Sequence, residues 1–122
     1  MRRFAPWIVI ASGALGAGAC GDPRAQLQKH RQAVQSCRET TRVVAHAWAA
    51  HEVSPGFARV AFDRAYELSE QTRRELTRTP RILADRPIAA LSQECEELSR
   101  LIARLRVSID DGDPQAAERL LP

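Results

Sequence analysis

Apolar side chains recur along most of this chain at intervals of three and four, the spacing that lines them up on one side of an α-helix. Leu27, His30, Val34, Cys37, Thr41, Val44, Trp48 and His51 form one such stripe. Asp22-Pro23 opens it, a capping side chain followed by proline at the first helical position. Ser54-Pro55 repeats that signal and begins a second stripe of Phe57, Ala61, Ala65, Leu68, Thr72 and Leu76, which Thr79-Pro80 stops. Beyond a linker at 80–86 comes the most regular face: Ile88, Leu91, Cys95, Leu98, Ile102, Leu105 and Ile109. Asp110-Asp111-Gly112 ends it, with Gly112 suited to a left-handed cap. Asp113-Pro114 then opens a short last helix whose Leu120 and Leu121 close one end of the core. No stretch of useful length alternates with period two, so no sheet is expected. The pattern predicts an all-α fold, a three-helix up-down-up bundle with a short fourth C-terminal helix.

The first residues do not share this pattern. Arg2 and Arg3 precede a predominantly apolar, small-residue run from Phe4 to Ala19, the plan of an export signal. At 16 residues, interrupted by Pro6, one serine and three glycines, the run is too short and too weakly apolar to span a bilayer as a helix. Leu15-Gly16-Ala17-Gly18-Ala19-Cys20 resembles the lipobox of bacterial lipoproteins, with Ala17 where Leu is commonest.

That resemblance implies cleavage before Cys20, diacylglycerol on its sulfur and a further acyl chain such as palmitate on its freed amine, a chain count that anchors stably. Gly21 rather than Asp after the cysteine implies, by similarity with lipoproteins of two-membrane bacteria, an outer-membrane anchor facing the periplasm. The alternative is that Ala17-Gly18-Ala19 serves the ordinary signal peptidase, which cuts the same bond and leaves Cys20 unmodified. The expected organisation is therefore a leader at 1–19, a lipid-anchored start at 20–22 and a helical domain at 23–122.

Lipidation of Cys20 also settles the cysteine count. Three cysteines in an exported chain leave one unpaired. With Cys20 acylated, Cys37 and Cys95 remain as an even pair in an oxidising compartment, where a disulfide is expected. Helical rise supports the pairing: Cys37 lies about 24 Å below the turn at Val53, and Cys95 reaches about the same level if the third helix starts at the foot of the second. Closing the intervening loop stabilises such a fold by roughly 4 kcal/mol. The other reading is two buried free thiols that pack as small hydrophobes.

Charge narrows the function classes. The chain carries 18 basic and 15 acidic side chains, but Arg2 and Arg3 belong to the leader, which leaves 16 against 15. A balance near +1 is poor for phosphate-backbone affinity, so no nucleic-acid partner is expected. His30, His46 and His51 lack zinc-ligand spacing, since His30 and His51 stand more than about 30 Å apart along a helix. Asp110-Asp111-Gly112-Asp113 fails as a calcium loop because Val107 and Ile109 fall where oxygen ligands are needed. No Ser, Thr or Cys sits beside a His in a nucleophile–base arrangement. Neither a metal nor any other cofactor is expected, and Glu94, Glu96 and Glu97 read as a solvated surface paired with Arg100 and Arg104.

One cluster points to binding. Phe62 and Tyr66 lie to one side of the second helix's stripe beside Arg59 and Arg73, the composition of interface hot spots. In the alternative, Phe62 completes a wide buried face and Tyr66 sits at its border. The expected function is a membrane-tethered, non-enzymatic periplasmic module that binds a protein partner. Other classes are ligand or metal binding within the bundle and, last, an enzyme of unknown type.

Overall fold

A computed structural model describes residues 23–78 and 85–122, and every regular element among them is a helix. They are α1 (Pro23–Ala49), α2 (Pro55–Leu76), α3 (Arg86–Asp110) and α4 (Pro114–Leu120). The leader, Cys20, the Asp22 cap and the Thr79-Pro80 stop lie outside the described residues.

Local chemistry explains most of the helix ends. Ser54 Oγ accepts the Phe57 N–H at 3.1 Å, Asp113 accepts the Ala116 N–H at 3.2 Å, and Asp85 accepts the Ile88 N–H at 3.5 Å. Each cap is followed by a proline in the first two helical positions, where its missing N–H costs nothing. Exits from α1 and α3 share one device. At α3, the Gly112 and Asp113 N–H groups bond back to Ile109 and Ser108, with Gly112 at φ 63°. At α1, the N–H groups of His51 and Glu52 bond back to Trp48 and Ala47, with His51 at φ 59°. Both are Schellman closures, which need a left-handed residue. His51, expected on the inward stripe of α1, is therefore outside the helix and exposed.

Burial follows the expected stripes closely on α1 and α3. Val34, Cys37, Thr41, Val44 and Trp48 are buried on the first, and Leu91 through Ile109 at the expected intervals on the third. On α2 the buried face is turned. Its members are Ala58, Phe62, Ala65, Ser69, Thr72 and Leu76, whereas Phe57 is 57% exposed and Leu68 39%. The cause is α2's dominant neighbour: α2 packs most extensively on α3, and its face is drawn toward that helix rather than centred between α1 and α3. Ser69 anchors the rotation, with its hydroxyl donating to the Cys95 carbonyl at 3.0 Å and lying 2.9 Å from the Ser99 hydroxyl. In turn, α4 packs on both α1 and α3, which touch each other less than either touches α2, and its Ala117 is fully buried. Leu120 and Leu121 lie half-buried against the core, closing that end as the pattern predicted.

Because a left-handed conformation is disfavoured for a side chain with a Cβ, His51→Gly relieves strain in the α1 exit. It should raise unfolding free energy by about 1 kcal/mol in urea titrations. A loss of stability instead would mean that the His51 side chain makes a contact worth more than the strain.

Candidate functional site

Cys37 and Cys95 come from separate helices into the same core, both buried and both free thiols. The Cys37 thiol donates to the Ala65 carbonyl of α2 at 3.2 Å. Burial raises its pKa above the ordinary 9.0, against a smaller lowering by Thr41 and Arg38. Cys95 is pushed up to about 11, first by burial and next by the repulsion a charged Cys37 exerts on it. Thiols held in this protonated state are poor nucleophiles.

The four residues expected to form a binding patch are dispersed by their partners. Phe62 is fully buried in the core and presents no surface, because the α2 rotation carries it toward α3. Arg59 is paired with Asp110 across the α2–α3 seam. Tyr66 is half-buried beneath the Arg106 guanidinium, 5.6 Å from its ring centre, and Arg106 Nε also meets Asp63 Oδ1 at 2.8 Å. Arg73 sends Nε and Nη2 to one Glu70 oxygen at 3.2 and 2.8 Å, and this bond holds the Glu70 carboxyl below its ordinary range. These contacts tie α2 to α3 or to itself. The sequence shows the residues' common side but not the acids that neutralise them.

The remaining candidates also separate. His30 lies 3.7 Å from Glu75, His46 is on the exposed side of α1, and among the described residues no group of three or more His, Cys, Asp and Glu converges. Glu94 pairs with Arg38 of α1 at 3.3 Å, while Glu96 pairs with Arg100 at 3.7 Å, as spacing on α3 suggests. Asp113 is used as the α4 cap and as a partner of Arg119 at 3.4 Å.

What the stripes did not reveal is a groove of about 320 Å³ between α1 and α2, on the side away from α3. Its α1 wall is small, formed by Ser36, Cys37 and Thr40. The α2 wall carries Phe57, Val60, Ala61 and Leu68, with Arg64 among them. Phe57, Val60 and Leu68 are exposed large hydrophobics, and together they make the broadest apolar surface of α2. One signal was available in the sequence: apolar residues at 57, 58, 60, 61, 62, 65 and 68 cover too wide an arc for one buried stripe. No family model, no curated protein and no solved structure matches the chain.

The raised thiol pKa values make a signed prediction for the reduced protein. Above pH 9 the unfolded chain gains by ionising Cys95, whereas the folded chain resists until about 11. Stability from this source is complete below pH 9 and is lost as pH rises through that window, by on the order of 2 kcal/mol. Urea titrations at a series of pH values should show Cys95→Ala losing less over this range than wild type; parallel losses would remove the thiol as the cause.

Proposed function

We propose that this chain is an exported lipoprotein whose Cys20 is acylated and whose helical domain serves as a non-catalytic interaction module at a periplasmic membrane face. The observation that carries the reading is the Leu15–Cys20 run placed just ahead of α1, with only Gly21 and Asp22 between the acylated sulfur and Pro23. So short a tether keeps the helices close to the lipid surface. By the Gly21 rule the membrane is the outer one.

Within this reading α1, α2 and α3 run up, down and up. Support comes from cross-helix pairs: His30 with Glu75 and Cys37 with Ala65 between α1 and α2, then Asp63 with Arg106 and Ser69 with Ser99 between α2 and α3. In each series one number rises as the other falls. The same order places Cys37 and Cys95 at one level, and in an oxidising compartment they form a disulfide, closing the long loop that contains α2. A binding role is favoured by the exposed apolar wall of α2, since a soluble helix leaves large side chains in water only at some cost.

Intact mass of the full chain extracted from membranes tests this reading in one spectrum. It should correspond to Cys20–Pro122 bearing diacylglycerol and one more acyl chain, two hydrogens lighter before reduction than after. A retained leader, or an unmodified Cys20, would contradict it.

A further inference from the structure

Charge is not spread evenly along the bundle. His30 of α1 meets Glu75 of α2 at 3.7 Å, and Arg31 of α1 and Pro87 of α3 line one surface hollow, so the start of α1, the end of α2 and the start of α3 form one end of the molecule. Residues 23–31, 74–78 and 85–90 make up this end. They carry six basic side chains, Arg24, Lys29, Arg31, Arg74, Arg78 and Arg86, against two acidic ones. All six are exposed. Both acids are engaged locally, Glu75 with His30 and with the Gln71 amide at 3.3 Å, and Asp85 in the cap of α3. The other described residues carry nine basic and twelve acidic side chains, so the remainder of the domain has the opposite sign.

We propose that this basic end docks on an anionic lipid surface, the phosphate headgroups of the membrane that holds Cys20, and that the domain stands on it end-on. The inference rests on the anchored reading of the chain, and the position of the anchor is what selects the lipid as partner. Only Gly21 and Asp22 separate Cys20 from α1. An extended chain covers at most about 3.6 Å per residue, so the tether holds the start of α1 within roughly 11 Å of the acylated residue. That distance is comparable with the screening length of about 8 Å at physiological salt, so the cations feel a negatively charged surface. The acidic excess of the remaining domain is repelled by the same surface, which disfavours lying on a side. Past the level of Glu75, α1 continues for about 10 Å, so the contact is completed by a lean that lowers Arg74, Arg78 and Arg86 beside the start of α1. An acidic protein offers the same cations a partner, but only the bilayer is delivered to them by the chain's own anchor.

Arginine labelling by phenylglyoxal, read by peptide mass spectrometry on the full chain extracted from membranes and added to preformed vesicles, reports each end of the bundle separately. On phosphatidylcholine vesicles containing phosphatidylglycerol, Arg31, Arg74 and Arg86 should react about fivefold more slowly than on phosphatidylcholine alone, the factor expected for a cation held at an anionic surface. Arg104 and Arg119, at the far end, should keep one rate in both lipids, and high salt should abolish the difference at the basic end. Arg78→Glu combined with Arg86→Glu should return Arg31 and Arg74 to their rates on neutral vesicles. Helix content by circular dichroism should be unchanged in that variant, since both positions are exposed. Equal rates in the two lipids, on protein whose mass shows an acylated Cys20, overturn the proposal alone and leave the basic end to an acidic protein. Equal slowing at both ends also overturns it, because the domain then does not stand end-on. An unmodified Cys20 overturns it together with the anchored reading.

Discussion

Hydrogen bonding by Ser69 fixes how α2 sits on α3, and much of the remaining structure follows from that seat. A buried hydroxyl left without partners costs about 1–3 kcal/mol, so rotations of α2 that give Ser69 partners on α3 are favoured. The observed one does so twice, through the Cys95 carbonyl and the Ser99 hydroxyl. With the Ser69 hydrogen committed to the carbonyl, Ser99 supplies the proton of the second bond. Other buried hydroxyls, Thr41, Thr72 and Ser108, bond to carbonyls of their own helices and so leave the choice of neighbour open.

This seat has consequences on both sides of α2. Toward α3 it draws Phe62 fully into the core and lines up the ion pairs of Arg59 with Asp110 and Asp63 with Arg106. On the other side it turns Phe57, Val60 and Leu68 into water and opens the groove against α1. The two thiols lie at the junction. Cys37 touches Ala65 of α2, and the Cys95 carbonyl receives Ser69, so the two cysteines meet α2 one turn apart.

Strong periodicity made the helices legible before any coordinates. The α3 stripe is plain from Leu91 to Ile109, because Leu and Ile at alternating three and four leave one solution, and those residues are buried. Caps at Ser54 and Asp113 and the left-handed Gly112 were equally plain, since each depends on one residue type at one place. By contrast α2 offers apolar residues over a broad arc, and a pattern of size and hydrophobicity favours Phe57 and Leu68 over Ala58 and Ser69. The packing of α2 on α3 and the hydrogen bonds of Ser69 to that helix reverse that choice, and such partners are not encoded by local spacing. For the same reason spacing leaves two readings of Arg59, Phe62, Tyr66 and Arg73 open, a binding patch or a wide buried face with Tyr66 at its border, and the structure buries Phe62 and engages the other three with neighbours. His51 misled differently: its place in the repeat is sound, but the Schellman closure of α1 takes it out of the helix.

A double-mutant cycle on Ser69 and Ser99, followed by urea unfolding of the reduced protein, tests the central claim most directly. Alanine at either position should cost about 1 kcal/mol, and the double variant should lose less than the two losses combined by about that amount, because the shared bond is removed only once. Fully additive losses would show that the hydroxyls act independently and that something other than their bond sets the rotation of α2.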